Sequence, residues 1–236
     1  MRRGAGSTIV AALAALALAL AGCGGTRQDV RAPSANFPVQ VTAASFPGSQ
    51  RLSEHTHMVL SVRNTGTKSI PNLTVTVCNV TCTYPAPAGQ GTSVAAFSQC
   101  VGGPTPAACK RAQRLGQGNL SRPVWIVDQP PGGCGYSCQQ GGEGGNATAT
   151  SNSWQYPAPL PPGATATFDW HVTAVAPGTF TVAWVIAADQ SGKAKAVLAS
   201  GSGPCGTTPC GSFPVRISQI PAQSYVNSKG QVVQSH

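Results

Sequence analysis

Ala164–Val175 reads ATATFDWHVTAV, and along it apolar and polar side chains alternate. Large apolar side chains fall on one side of the segment: Phe168, Trp170 and Val172. Polar side chains fall on the other side: Thr167, Asp169, His171 and Thr173. Because successive side chains of a β-strand point to opposite faces, this period of two predicts a strand with one buried and one exposed face.

The same alternation recurs before and after this segment. The strongest further examples are Met58–Arg63, Leu73–Val77 and Thr179–Ala187, and weaker strands are predicted at 37–44, 124–127, 194–199 and 213–217. Turn residues such as Asn64-Thr65-Gly66 and Pro177-Gly178 separate the segments. Short antiparallel strands joined by such turns predict an all-β fold, namely an immunoglobulin-like antiparallel β-sandwich. Four aromatic residues are expected to fill its core: Phe168, Trp170, Phe180 and Trp184.

The composition agrees with this class and argues against several functions. Charged residues make up 9% of the 236 residues, whereas there are 28 glycines and 20 prolines. The six acidic residues are scattered, so a pair of catalytic carboxylates is not indicated. The formal net charge of +9 falls by two if Arg2 and Arg3 are removed with a signal peptide. Since aromatic and basic residues do not interleave, nucleic acid is not an expected partner.

The first residues have the features of an export signal. Met1-Arg2-Arg3 is basic, and Ile9–Ala21 is an uncharged run, mostly of Ala and Leu, that is short for a membrane span. The run ends in Leu20-Ala21-Gly22-Cys23, which resembles the bacterial lipobox. This resemblance implies that Cys23 is lipidated and anchors the mature protein to the cell membrane, on its extracytoplasmic face.

Eight further cysteines favour a set of disulfides, because an even number in an exported chain is typical of an oxidising compartment. They are Cys78, Cys82, Cys100, Cys109, Cys134, Cys138, Cys205 and Cys210. Their connectivity does not follow from the sequence, and our hypothesis is local pairing: 78–82, 100–109, 134–138 and 205–210. Metal binding by thiolates is the alternative. The three residues between the cysteines of 78/82 and 134/138 differ from the two that are usual in zinc sites.

Three stretches share a further pattern: Val59–Gly66, which ends Val-Arg-Asn-Thr-Gly, Ile70–Val77, and Leu160-Pro161-Pro162-Gly163 through Gly178–Val182. In these stretches the chain resembles a type of bacterial Ig-like repeat, CARDB, the cell-adhesion-related domain found in bacteria. The resemblance implies an Ig-like fold, and it transfers no catalytic or ligand-binding residue to this chain. The long Cys/Gly-rich stretch at 79–153 departs from the pattern.

The expected organisation is a signal peptide at 1–22, a flexible tether at 23–36, the sandwich at 37–217 and a polar tail at 218–236. Within the sandwich, 79–153 is expected to be an insertion. Its one stretch with core character is Arg122–Asp128, which is expected to add an edge strand because a proline is tolerated there. We expect loops elsewhere in the insertion, so that residues 100–150 could be deleted without loss of the fold.

Few side chains suggest chemistry. Asp169 and His171 share the outward face of one strand, and no serine or cysteine nucleophile is marked beside them, so an exposed ion pair is expected. His55 and His57 also share a face and are spaced like copper or zinc ligands, but no third ligand is near them in the sequence. We therefore predict no catalytic residue, no bound metal and no cofactor.

Together these features predict a lipid-anchored cell-surface Ig-like module with a structural, adhesive or partner-binding role and no enzymatic activity. Its expected contacts are the membrane, through the lipid on Cys23, and a protein or cell-wall polymer. The alternative hypothesis is an exported lipoprotein that handles copper or zinc through His55, His57 and a cysteine pair.

Overall fold

A computed structural model of the chain describes residues 33–78, 96–100, 121–131, 153–189 and 192–234. The chain divides into two compact units, Met1–Arg31 and Ala32–His236, and every described residue belongs to the second. The strands are β1 (Ala35–Ser45), β2 (Ser49–Leu52), β3 (His55–Asn64), β4 (Thr74–Val77), β5 (Ser98–Cys100), β6 (Ser121–Pro123), β7 (Trp125–Gln129), β8 (Ser153–Gln155), β9 (Thr165–Ala174), β10 (Gly178–Ala187), β11 (Ala194–Leu198), β12 (Cys210–Pro221), β13 (Ser224–Val226) and β14 (Val232–Gln234). None of the described residues forms a helix with the length and apolarity needed to span a bilayer.

Ten of these strands form two five-stranded sheets. Sheet 1 has the order β11-β1-β3-β9-β7, and sheet 2 has the order β2-β12-β10-β4-β8. The remaining four strands form two-stranded sheets, β13 with β14 and β5 with β6. Apolar side chains from both five-stranded sheets share one core, so the predicted Ig-like β-sandwich is confirmed.

The inward faces predicted for the long strands are also confirmed. Along β3 and β9 the buried and exposed positions alternate without a break. The side chains of Trp170 and Trp184 are 0% and 5% exposed, and Trp170 lies against Trp154 with the ring centroids 5.3 Å apart. Phe180 is only partly buried, and its ring packs edge-on against Trp125. The large aromatic surfaces that the sequence offered for a core are therefore mostly removed from water.

Two pairs at the sheet edges run parallel, and here the prediction of an antiparallel sandwich was incomplete. β1 pairs with β11, and β2 pairs with β12, in parallel. The first strand of the sandwich is interrupted at Phe46-Pro47-Gly48, so that β1 belongs to sheet 1 and β2 belongs to sheet 2. Because the alternation of side chains is the same for either strand direction, the sequence pattern could not reveal this crossing.

β4 differs from its predicted pattern. The alternation of Leu73–Val77 suggested exposed threonines, but all four residues of β4 are buried. The strand lies inside sheet 2, between β10 and β8, and Thr76 Oγ1 lies 2.7 Å from Ser153 Oγ of β8. Thr74 donates its hydroxyl proton to the carbonyl oxygen of Asn72. The buried hydroxyls are tolerated because each has a hydrogen-bond partner.

The predicted insertion contributes more to the core than expected. β7 is the edge strand of sheet 1 that was predicted for Arg122–Asp128, and Trp125 is 2% exposed. Phe97 is fully buried as well, so the view that only one stretch of the insertion has core character was wrong. The indole Nε1 of Trp125 donates to Oε1 of buried Gln50 over 2.7 Å. This bond links an edge of sheet 1 to an edge of sheet 2.

One predicted disulfide is confirmed, the bridge between Cys205 and Cys210, whose Cα atoms are 6.2 Å apart. Cys78 is also disulfide-bonded. It packs with Ala183 and Val185 of β10 and with Cys210 in a small second cluster. The pairs proposed for 100–109 and 134–138 lie outside the residues whose side chains are described, as do the signal peptide, Cys23 and most of the tether, so these stay predictions.

The loop after β3 is organised by a buried amide. Asn64 is 0% exposed, and its Nδ2 donates to the carbonyl oxygens of Lys68 and Leu160, each at 2.9 Å. Its Oδ1 accepts a hydrogen bond from the backbone N–H of Gly66. A Cβ on Gly66 would lie 3.0 Å from Cδ of Pro38, so this position leaves little room for a side chain.

The segment predicted as a polar tail contains ordered structure. β12 continues to Pro221, and β13 and β14 then form a hairpin. Gln234 of β14 accepts a hydrogen bond from the backbone N–H of His55, and it donates one to the carbonyl oxygen of Ser53. The hairpin is thus attached to the beginning of β3.

Candidate functional site

Three histidines and two carboxylates come together on the outer face of sheet 1. The histidines are His55, His57 and His171, and the carboxylates are those of Asp128 and Asp169. The central pair of strands, β3 and β9, supplies most of them, and β7 supplies Asp128. We call this region the histidine face.

Strand pairing explains why these side chains meet. β3 and β9 are antiparallel and stay in register over nine consecutive residue pairs, which include His57 with His171 and His55 with Thr173. Side chains of directly paired residues lie on the same face of a sheet, only about 5 Å apart at Cβ. Asp169 precedes His171 by two residues and therefore points outward with it.

The tightest group consists of His57, Asp169 and His171. Nδ1 of His57 lies 3.1 Å from Oδ1 and 3.3 Å from Oδ2 of Asp169. Nε2 of His171 lies 3.5 Å from Oδ2 of the same carboxylate, and the centroids of the two imidazole rings are 3.9 Å apart. One ligand atom from each of the three residues can be chosen so that all lie within 4.8 Å of one another.

A second group lies one residue pair further along the strands. Thr173 Oγ1 is 2.7 Å from Nδ1 of His55, and it donates to Oδ2 of Asp128 over 2.5 Å. The pairing of β7 with β9 shifts between Val127 and Gln129, so Asp128 is the extra residue of a bulge. Bulges redirect a side chain, and this one brings the carboxylate of Asp128 to 3.4 Å from His55.

The second group has the residue types of a catalytic triad without the arrangement. A hydroxyl, an imidazole and a carboxylate form a proton relay only when the hydroxyl and the carboxylate bind opposite nitrogens of the ring. Here Thr173 and Asp128 both lie at Nδ1 of His55, and the hydroxyl proton points to the carboxylate. The imidazole therefore cannot take a proton from Thr173 and be oriented by Asp128 at the same time.

The histidine face borders an open cleft of about 740 Å³. The lining of the cleft includes His55 and His57 together with Phe46, Pro47 and Phe213. Side chains on the face remain accessible: the exposed fractions are 54% for His57, 40% for Asp169 and 39% for His171. A small ligand or ion can reach these three residues from solvent.

The sequence anticipated parts of this site. The ion pair of Asp169 with His171 is present, and His55 and His57 share a face as predicted. The sequence did not connect the two pairs, because Asp169, which lies against His57, comes from a strand more than 100 residues away. The signal that could have found it is the register of β3 against β9. Of the cysteine pairs considered as metal ligands, 78/82 and 134/138, Cys78 lies among the described residues, is in a disulfide and is not available as a thiolate.

Comparisons with known proteins give fold similarities only. No known family matches the chain, and no curated protein matches its sequence. Among solved structures, a CARDB domain from Pyrococcus furiosus, in complex with di-metal ions, is 8% identical over 78% of this chain and 92% of that domain, with a TM-score of 0.34.

Two further solved structures are similar over a small part of their length. Alpha-2-macroglobulin from E. coli is 10% identical over 80% of this chain and 7% of its own, with a TM-score of 0.32. The beta-glucosidase from Listeria innocua in complex with glucose is 10% identical over 78% of this chain and 16% of its own, with a TM-score of 0.30.

Proposed function

We propose that this protein is a lipid-anchored Ig-like module of the extracytoplasmic cell surface, with a structural, adhesive or partner-binding role. The observation that carries the proposal is the order of its parts. The lipobox-like Leu20-Ala21-Gly22-Cys23 is followed by a short polar segment, and the β-sandwich starts at Ala35. A lipidated cysteine close before a disulfide-containing sandwich is the arrangement expected of a domain displayed at a membrane.

A non-catalytic role is supported by the geometry of the histidine face. The group of His55, Thr173 and Asp128 lacks the relay arrangement, as described above. Among the described residues, no hydroxyl or thiol is hydrogen-bonded to the ring of His57 or His171. An imidazole activates a nucleophile only within hydrogen-bonding reach, so the described part of the chain favours binding over acyl transfer.

The anchor is tested by replacing Cys23 with Ser in the full chain and fractionating cells. Wild-type protein is expected in the membrane fraction, and the C23S variant is expected in the soluble fraction, because serine cannot carry the thioether-linked lipid. Thr26→Ser, a conservative change in the tether, is the matched control and should stay with the membrane. A C23S variant that remains membrane-bound to the same extent would contradict the anchor.

The partner-binding role is tested in the same cells with a cross-linker that does not cross membranes. Wild-type protein is expected to form discrete adducts with a surface protein or with wall polymer. The C23S variant, detached from the membrane, should form them at a reduced level. If wild-type protein forms no adduct while anchored, a partner-binding role is wrong and only a structural one is left.

A further inference from the structure

We propose that His57, Asp169 and His171 form a binding site for a divalent transition metal ion, Zn²⁺ or Cu²⁺. This inference goes beyond the proposed function and does not depend on the lipid anchor. Its ligand set differs from the one that the sequence suggested, in which a cysteine pair accompanied His55 and His57; Cys78 of one such pair is in a disulfide.

The ligand types select the metal. Two imidazoles and one carboxylate suit Zn²⁺ and Cu²⁺, whereas Ca²⁺ and Mg²⁺ prefer a shell made of oxygen atoms. Three protein ligands leave coordination positions for water, and the exposure of all three side chains allows water to occupy them. The site therefore resembles an open, accessible metal site more than a closed structural one.

The distances are close to those that a metal requires. With bonds of 2.0–2.1 Å, two ligand atoms of a tetrahedral zinc site lie about 3.3 Å apart. His57 Nδ1 lies 3.1 and 3.3 Å from the oxygens of Asp169, and His171 Nε2 lies 3.5 Å from Oδ2 of Asp169. The remaining separation, between ligand nitrogens of the two imidazoles, is within 4.8 Å. Any excess over the tetrahedral value has to be removed by rotation of the rings when the ion binds.

The scaffold holds the ligands in place before a metal arrives. His57 and His171 are direct partners inside an uninterrupted stretch of antiparallel pairing, with further strands on both sides of β3 and β9. On the inner face of the same strands, Met58 and Trp170 are fully buried, so the backbone beneath the ligands is fixed by the core. Ligands on rigid elements lose little conformational entropy on binding.

The distribution of charge also favours a cation at this place. Asp189 is fully buried, Asp128 and Asp169 belong to the histidine face, and Glu54, the remaining acidic residue of the described chain, lines the cleft beside it. Away from the face and its cleft, the described surface carries only basic charges, in a chain with a formal net charge of +9. Negative charge and imidazole nitrogen are thus concentrated together on one face of an otherwise basic protein.

The site is tested with the untagged full-length protein in detergent, by titration calorimetry with ZnSO₄, CuSO₄ and CaCl₂. The wild type is expected to bind zinc or copper at one ion per chain and to melt at a higher temperature in its presence. His57→Ala, Asp169→Asn and His171→Ala should each weaken binding at least tenfold, since even the loss of an outer-shell partner costs about 10–100-fold in metal affinity. Calcium should not compete.

The matched control is His55→Ala, which removes a neighbouring histidine of the same face that lies outside the group of three. It should leave the affinity within about twofold, and all four variants should melt like the wild type without metal because the side chains are exposed. The proposal is overturned if the wild type binds neither zinc nor copper. It is equally overturned if binding survives in the His57 and His171 variants, which would place the ion elsewhere.

Discussion

Asn64 shows how a single buried polar residue can hold two loops. Its amide binds the carbonyl oxygens of Lys68 and Leu160 and the N–H of Gly66, so every polar atom of the side chain has a partner. Leu160 begins the Leu-Pro-Pro-Gly turn, in which Gly163 has a φ of 76°. Few non-glycine residues adopt that angle. Two of the three stretches that carried the resemblance in the sequence, those of Asn64 and of Leu160, are therefore in direct contact.

Replacing Asn64 with Ala should destabilise the sandwich by about 2–4 kcal/mol, because it removes three hydrogen bonds of a fully buried side chain, each of which contributes about 1 kcal/mol. The measurement is the free energy of unfolding from urea titration, in the oxidised protein. Thr65→Ala, at the exposed neighbouring position, is the control and should change it by about 0.5 kcal/mol or less. Equal effects of the two substitutions would show that the amide is not important for stability.

Single positions show where the sequence suffices and where it does not. The inward positions of Phe168, Trp170 and Trp184 followed from local alternation, because a two-residue period has only one interpretation in a strand. The burial of Phe97 did not follow, since no alternating segment surrounds it. The partnership of Gln50 with Trp125 was equally hidden, because it joins two sheets.

Among the elements, β7 is the one whose importance was underestimated. It is an edge strand, yet Trp125 enters the core between Phe46, Phe97 and Phe180, with ring centroids 5.4–6.4 Å away. Its neighbour Ile126 points the other way and is 50% exposed. One strand thus offers a buried and an exposed apolar side chain in adjacent positions.

Trp125→Ala is expected to cost about 3–5 kcal/mol of unfolding free energy, because it leaves a cavity and also removes the partner of Gln50. Ile126→Ala, on the same strand, should cost about 1 kcal/mol or less. Urea titration of both variants provides the measurement.

For the same reason, deletion of residues 100–150 should abolish cooperative melting, contrary to what the sequence suggested. A deletion variant that melts cooperatively near the wild-type temperature would show that β7 is dispensable. In that case Trp125→Ala should also lower the free energy of unfolding only slightly.

Pairing between elements marks the limit of sequence reasoning about the site. The outward positions of His57, Asp169 and His171 were each predictable from alternation. Their meeting depends on the register of β3 against β9, and a slip by two residues would pair His57 with another residue while leaving every side chain on the same face. The hydrophobic pattern therefore predicts the face but not the neighbours on it.

For the molecule as a whole, the fold class followed from the sequence while the topology did not. Alternating segments separated by turns were enough for an all-β sandwich. The division of the first strand between the two sheets, with a parallel pair at each sheet, depends on long-range contacts that no local pattern contains.

That division has a mechanical consequence. β2 and β12 lie parallel near the two ends of the described fold, so tension applied between Ala35 and Pro221 pulls them in opposite directions along their length. Such a load shears all the hydrogen bonds of the pair at once.

In single-molecule stretching, attachment at residues 35 and 221 should require a larger unfolding force than attachment at His55 and Thr173. These two residues lie opposite each other, so pulling on them would separate β3 from β9 one hydrogen bond at a time. Equal forces would refute this. Under tension between these two ends, the sandwich would therefore begin to unfold only after the whole pair has been sheared apart.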